Sequence, residues 1–211
     1  AHGTERRQWM PVLRVRCRLG SDRMALMTAT ILSGKAMAKE MEAELAEEVA
    51  DFVQNNGVAP CLAAVLVGED SASAVYVKNK RLACERVGLE SRLHRLPAET
   101  TEEELLRLVA QLNADEGVHG ILVQLPLPKQ IRSAKILDAV HPLKDVDCFH
   151  PENVGLLTQG RPRFLPCTPH GCLPILHRHN LDVPGQDAVV GGRGEVVGNA
   201  IAPPPAAQQA P

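Results

Sequence analysis

The chain has 211 residues, 45% of them hydrophobic, 23% charged and 2% aromatic, with 23 basic against 25 acidic side chains and a formal net charge of -2. This composition excludes a mostly disordered chain. It also provides no global basic field for nucleic acid, and five aromatic residues are too few for base-stacking platforms. No run approaches the roughly 18 consecutive apolar residues of a membrane span, so neither a nucleic acid nor a membrane is an expected partner.

Residues 1–23 carry six Arg and two acids with no helical or strand period, and read as an unpatterned leader ahead of Met24. An Arg-rich organelle presequence is the rival reading, disfavoured by Glu5, Asp22 and the scarcity of Ser. The expected location is accordingly cytoplasmic, with mitochondrial as the alternative. The six cysteines (17, 61, 84, 148, 167 and 172) form no C-x-x-C pair and read as reduced thiols.

From there the pattern alternates. Ala38, Met41, Leu45, Val49 and Phe52 keep the spacing of an amphipathic helix, closed by Asn55-Asn56-Gly57. CLAAVLV (61–67) is a short apolar run suited to a buried parallel strand. A helix over 72–87 ends at Gly88, and 91–96 reads as a weaker strand. TTEEELLRLVAQLNAD opens with Thr-x-x-Glu capping boxes and continues with a stripe of Leu105, Leu108, Val109 and Leu112. HGILVQ (119–124) is a second buried strand, stopped by Pro126 and Pro128. A helix at about 131–140, a polar loop at 141–153 and a helix at about 169–179 come next, and AVV (188–190) enters a Gly-rich turn. The β-α-β-α order predicts an α/β fold with a parallel sheet between helical layers.

Chemistry is expected where these elements end. Ser73, Tyr76 and Lys80 share one helix face, just past the C-terminal end of strand 61–67, where open α/β sheets bind ligands. An isolated Tyr-x-x-x-Lys pair is equally the pattern of a solvated face. Gln124 closes the strand HGILVQ and points toward the same edge. In KDVDCFHPEN (144–153), two loop carboxylates suit either a metal or bidentate acceptance of two N–H donors. The spacings among Cys148, His150, Cys167, His170, Cys172, His177 and His179 match no usual structural zinc pattern, so no metal is expected. AVVGGRGEVVG (188–198) is a strand entering G-x-G-x-x-x-G, the opening of a dinucleotide site. Its completion calls for a helix and a ribose-reading residue, whereas Pro203–Pro205 stand in the Pro/Ala/Gln-rich tail of 199–211.

Taken together and in order, VGEDSASAVYVKNK, GVHGILVQLPLPKQI, HPLKDVDCFHPENVGLL, FLPCTPHG and AVVGGRGEVVG resemble the bifunctional 5,10-methylenetetrahydrofolate dehydrogenase/methenyltetrahydrofolate cyclohydrolase family, the FolD proteins. The resemblance runs from about Ile31 to Gly198. It implies a three-layer parallel-sheet N-terminal domain that binds folate (24–146), followed by a linker and the start of a Rossmann-like NAD(P) domain (147–198), incomplete here. It implies oxidation of 5,10-methylenetetrahydrofolate by NADP+, then hydrolysis of the methenyl product to 10-formyltetrahydrofolate. A folate-binding remnant without turnover is the alternative.

By the same resemblance, Lys80 and Gln124 are catalytic, Ser73, Tyr76 and Asp147 bind the tetrahydrofolate substrate, and Gly192, Arg193 and Gly194 contact the NADP phosphates. A homodimer, formed through the NAD(P) domain, is the family's expected assembly and is not expected of these residues alone. Three departures stand out. Cys148 replaces the Gly after D-V-D, which predicts strain if that position has positive φ. Gly191 replaces a β-branched residue, and Gly194 replaces a phosphate-contacting Ser. With the β-α-β unit unfinished, no NADP+ binding by these 211 residues is expected.

Overall fold

The computed structural model describes residues 14–15, 32–181 and 188–189. Most of the leader, Met24, the Gly191–Gly198 turn and the tail lie outside the described residues. The elements in chain order are β1 (Arg14–Val15), α1 (Gly34–Asn56), β2 (Cys61–Val67), α2 (Ser71–Val87), β3 (Glu90–Leu96), α3 (Glu102–Ala114), β4 (Gly120–Val123), α4 (Ser133–Ala139), α5 (Pro151–Thr158), α6 (Cys167–Arg178) and β5 (Ala188–Val189). They fall into two compact units: Ser33–Pro166, and the remainder made of Ala1–Leu32 with Cys167–Pro211.

In the first unit β2 is the central strand of a parallel sheet ordered β3-β2-β4. The apolar run of 61–67 becomes this central strand because a strand covered on both faces needs no polar alternation. From β2 the chain crosses to one side through α2 and returns past β2 to the other through α3. Right-handed crossovers in opposite directions put those helices on opposite faces. Ala63, Val65 and Val67 accordingly point into a core with Leu105, Val109 and Leu112 of α3, Ile121 and Val123 of β4, and Ile136 of α4. On the other face lies α2, with Val77, Cys84 and Val87 buried. The α/β sandwich with a parallel sheet expected from the sequence is the observed one.

Local signals explain most boundaries. Ser33 caps α1, and Gly57 ends it at φ 70°. Asp70 caps α2, and Gly88 ends it at φ 83°. Thr101 and Glu104 form the reciprocal capping box at the start of α3.

Three expectations need correction. The loop expected to run through 153 stops at His150, where Pro151 opens α5 and the His150 Nδ1 accepts the Glu152 N–H. The stripe on α1 is only partly covered. Val49 is buried, but Met41, Leu45 and Phe52 remain 38%, 41% and 46% exposed, because the covered face runs through Met37, Glu42, Ala46, Val49 and Val53, turned by about one residue from the expected stripe. Finally, β5 pairs antiparallel with β1 inside a leader that showed no period. Two residues are too few to display one.

Beyond α4 the chain comes back to the sheet. Residues 144–146 run beside β4: the Ile121 N–H donates to the Lys144 carbonyl at 2.7 Å, and Asp145 bridges Ile121 in parallel. This close approach requires Gly120, since a Cβ there would lie 2.7 Å from Val146 Cγ1. The Lys144 ammonium is spent on the end of α3, donating to the carbonyls of Leu112, Asn113 and Asp115.

Candidate functional site

Three of the side chains singled out from the sequence meet at α2 and the strand-like segment beside β4. Tyr76 and Lys80, one helical turn apart, place the Lys80 Nζ 4.8 Å from the centre of the Tyr76 ring, a cation–π distance. The same ammonium lies 4.0 Å from Asp147 Oδ1. Lys80 and Asp147 are each about a quarter exposed or less, and the Tyr76 ring is half exposed. An ammonium between an aromatic face and a carboxylate, open to solvent on one side, can hold a planar ligand on the ring, accept its N–H donors at the carboxylate and exchange a proton at the amine.

Asp147 owes its place to Asp145. The two carboxylates of K-D-V-D do not act as a pair. Asp145 is buried, and its Oδ1 accepts the Phe149 N–H at 3.1 Å while its Oδ2 accepts the His150 N–H and the Asn153 Nδ2, each at 2.8 Å. With three donors satisfying it inside the protein, Asp145 closes the turn and leaves Asp147 facing Lys80. Immediately after Asp147, Cys148 is buried with φ 60°, in the left-handed region that glycine tolerates and a side chain does not. The positive φ on which the expected strain of a cysteine here depends is present.

The remaining candidates stand apart from this trio. Ser73 is buried in the first turn of α2, where its backbone N–H donates to Asp70 Oδ1 at 2.7 Å. The Ser73 N–H and hydroxyl together hold the Asp70 carboxyl below the usual carboxylate range. Gln124 ends β4 at the C-terminal edge of the sheet; its backbone N–H donates to Val65, and its Nε2 donates to the Leu125 carbonyl at 2.8 Å. Among the described contacts, none joins Gln124 to Lys80. Gly192, Arg193 and Gly194 lie outside the described residues. One turn beyond Lys80, Cys84 is buried beneath α2, and burial pushes its thiol up.

Sequence reasoning missed Asn153 and Arg163. Asn153 is fully buried, donates to Pro142 and Asp145, and accepts the Arg163 Nη1 at 3.0 Å. The available signal was His150-Pro151-Glu152-Asn153, a helix start that places an amide on the first turn beside the loop it closes.

The family model for tetrahydrofolate dehydrogenase/cyclohydrolase, catalytic domain, matches residues 32–147. Among curated relatives, the bifunctional protein FolD of Rhodopirellula baltica is 55% identical over 182 residues, covering 83% of this chain and 61% of that protein. FolD of Moorella thermoacetica is 53% identical over 176 residues, covering 83% and 62%. The crystal structure of the FolD methylenetetrahydrofolate dehydrogenase/cyclohydrolase from Campylobacter jejuni superposes with a TM-score of 0.79 at 45% identity, covering 82% of this chain and 61% of that one. The Trypanosoma brucei dehydrogenase-cyclohydrolase, complexed with NADP cofactor and inhibitor, gives 0.80 at 37% identity, covering 82% and 60%. The chain thus spans about three-fifths of the length of these relatives. With residues 32–147, more than half of its length, inside the family model, the chain belongs to the tetrahydrofolate dehydrogenase/cyclohydrolase family.

Proposed function

We propose that this chain carries the folate-binding, catalytic half of a bifunctional enzyme of one-carbon metabolism. That enzyme oxidises 5,10-methylenetetrahydrofolate to the methenyl form with NADP+ and hydrolyses the product to 10-formyltetrahydrofolate. The observation that carries this reading is the placement of the Lys80 ammonium 4.8 Å over the Tyr76 ring and 4.0 Å from the Asp147 carboxylate.

In this reading the pterin lies against Tyr76, and Asp147 accepts its amino and ring N–H groups side by side. Water attacks the positively charged methenyl carbon; one proton must leave the attacking water and one must reach the departing ring nitrogen. The Lys80 ammonium gives its proton to the departing ring nitrogen and recovers one from the attacking water, and the Gln124 amide orients the hydrate. Ser73 supports the site from the first turn of α2. NADP+ supplies the hydride acceptor when bound, and its phosphates are assigned to Gly192, Arg193 and Gly194. The folate-binding half, expected over residues 24–146, is extended through 166 because Asp145, Asn153 and Arg163 form one network, and the NAD(P) half begins after it, within the expected 147–198 stretch. A cytoplasmic location belongs to the same proposal, and a homodimer is proposed of the whole enzyme, not of these residues alone. Among the described residues, no helix is long and apolar enough to cross a membrane.

The test is hydrolysis of 5,10-methenyltetrahydrofolate by the purified chain, followed through loss of the methenyl chromophore. The parent should exceed the buffer rate, and Lys80→Met should return to it, a loss of about 10²-fold or more for a proton-transferring group. A Lys80→Met chain as fast as its parent overturns the assignment of Lys80. A parent that binds tetrahydrofolate yet never exceeds buffer supports the non-catalytic folate-binding alternative instead.

A further inference from the structure

Asp147 sits at the end of a turn whose conformation is unfavourable in itself. Cys148 is held at φ 60° with its side chain buried, and a non-glycine residue does not adopt that conformation without outside support. The support comes from three side chains that lie away from the Tyr76–Lys80 face. Asp145 gathers the N–H groups of Phe149 and His150, fixing the two residues directly after Cys148. Asn153, fully buried on α5, donates to Asp145 Oδ2 and to the Pro142 carbonyl, both at 2.8 Å, and so ties the two ends of the segment together. Arg163 fixes which way the Asn153 amide points. Its Nη1 donates to Asn153 Oδ1 at 3.0 Å, which leaves Nδ2 for Asp145, while its Nη2 pairs with Glu152 Oε1 at 2.8 Å.

We infer that Asp145, Asn153 and Arg163 are positioning residues: a clamp that holds the 145–150 turn so that the Asp147 carboxylate is presented to Lys80. The role of Asp147 toward a folate rests on the function proposed above, whereas the clamp itself is a statement about where Asp147 stands. The physical logic is one of satisfied donors. A buried carboxylate with three N–H partners fixes a single turn geometry, and removal of one partner leaves a buried charge short of a donor. A partly exposed pair such as Lys80–Asp147 contributes too little by itself to hold the turn.

A zero-length carbodiimide cross-link reads this placement without any folate. The reagent activates a carboxylate, a neighbouring amine displaces the urea, and the resulting amide is located by peptide mass spectrometry. The full chain should form two such links, Lys80–Asp147 and, as an internal reference remote from the clamp, Lys135–Glu102, whose ion pair spans 2.9 Å. Asn153→Ala should lower the ratio of the first to the second at least fivefold, and Arg163→Met at least twofold. Arg163→Lys, which keeps a donor toward Asn153, should restore at least half of the loss seen in Arg163→Met. A variant that merely unfolds loses both links together; if Asn153→Ala does so, the partly exposed Arg163 position decides. A ratio unchanged in Arg163→Met, or a parent chain that never joins Lys80 to Asp147, overturns the clamp. A ratio that falls as stated in a chain that binds no tetrahydrofolate leaves the clamp standing and overturns the functional reading instead.

Discussion

The two faces of the sheet are built to different standards. Against α3 and α4 the packing is dense and apolar: Leu105, Val109 and Ile136 have no exposed surface, and Val65 opposite them has none either. On the side of α2 and α1 the burial thins, so that Tyr76 stays half exposed and Met41, Leu45 and Phe52 of α1 are more than a third exposed. The first face supplies stability that does not depend on the site. The second can therefore present a phenol and an ammonium to solvent, within reach of the Asp147 carboxylate, without endangering the fold.

The largest expected effect breaks the contrast directly. Leu105→Ala removes a fully buried side chain from the dense face and should destabilise by about 3 kcal/mol through lost transfer energy and the cavity left behind. Phe52→Ala, on the thin face, should lose about 1 kcal/mol or less, since nearly half of that ring is already in water. Urea denaturation of the two variants checks the difference, and equal losses would mean that the faces are energetically alike.

A smaller effect sharpens the description of the strained turn. Cys148→Ala keeps a Cβ at φ 60° and gives up the buried sulfur, whereas Cys148→Gly gives up both sulfur and strain. The Gly variant should therefore be more stable than the Ala variant by about 1 kcal/mol, the reverse of the usual order in regular structure. Thermal melts of the pair give the sign.

The smallest effect concerns pH at the start of α2. Asp70 is held below its ordinary range chiefly by the Ser73 N–H and next by the Ser73 hydroxyl. A carboxyl depressed in the folded state contributes stability that is present above the unfolded value, about 3.9, and is lost as pH falls toward the folded one. Urea midpoints measured from pH 6 down to pH 3 should fall less steeply in Asp70→Asn than in the parent. Parallel acid limbs would show that the cap adds nothing measurable.

What was legible in the sequence was local. The Thr101–Glu104 box, the left-handed Gly57 and Gly88 that end two helices, and the apolar run of β2 each declare themselves within a few residues. The Tyr76–Lys80 face was readable from helical spacing, and Cys148 stood out because a resemblance supplied the residue it replaces. The clamp was not readable. Asp145 looked like a second loop carboxylate until its three N–H partners were seen, and Asn153 lay in a stretch read as loop although Pro151 marks a helix start. The α1 stripe misled in another way: apolar periodicity predicted a helix, but the face the fold covers runs through Glu42, Ala46, Val49 and Val53 and leaves Met41, Leu45 and Phe52 outside.

The most direct test of the account is tetrahydrofolate binding by calorimetry to the parent chain and to Asp147→Ala, with melting temperatures measured alongside. The account predicts that the parent binds and that the variant binds at least tenfold more weakly, a loss of about 1.4 kcal/mol or more, at an unchanged melting temperature. Undiminished affinity in Asp147→Ala would contradict it.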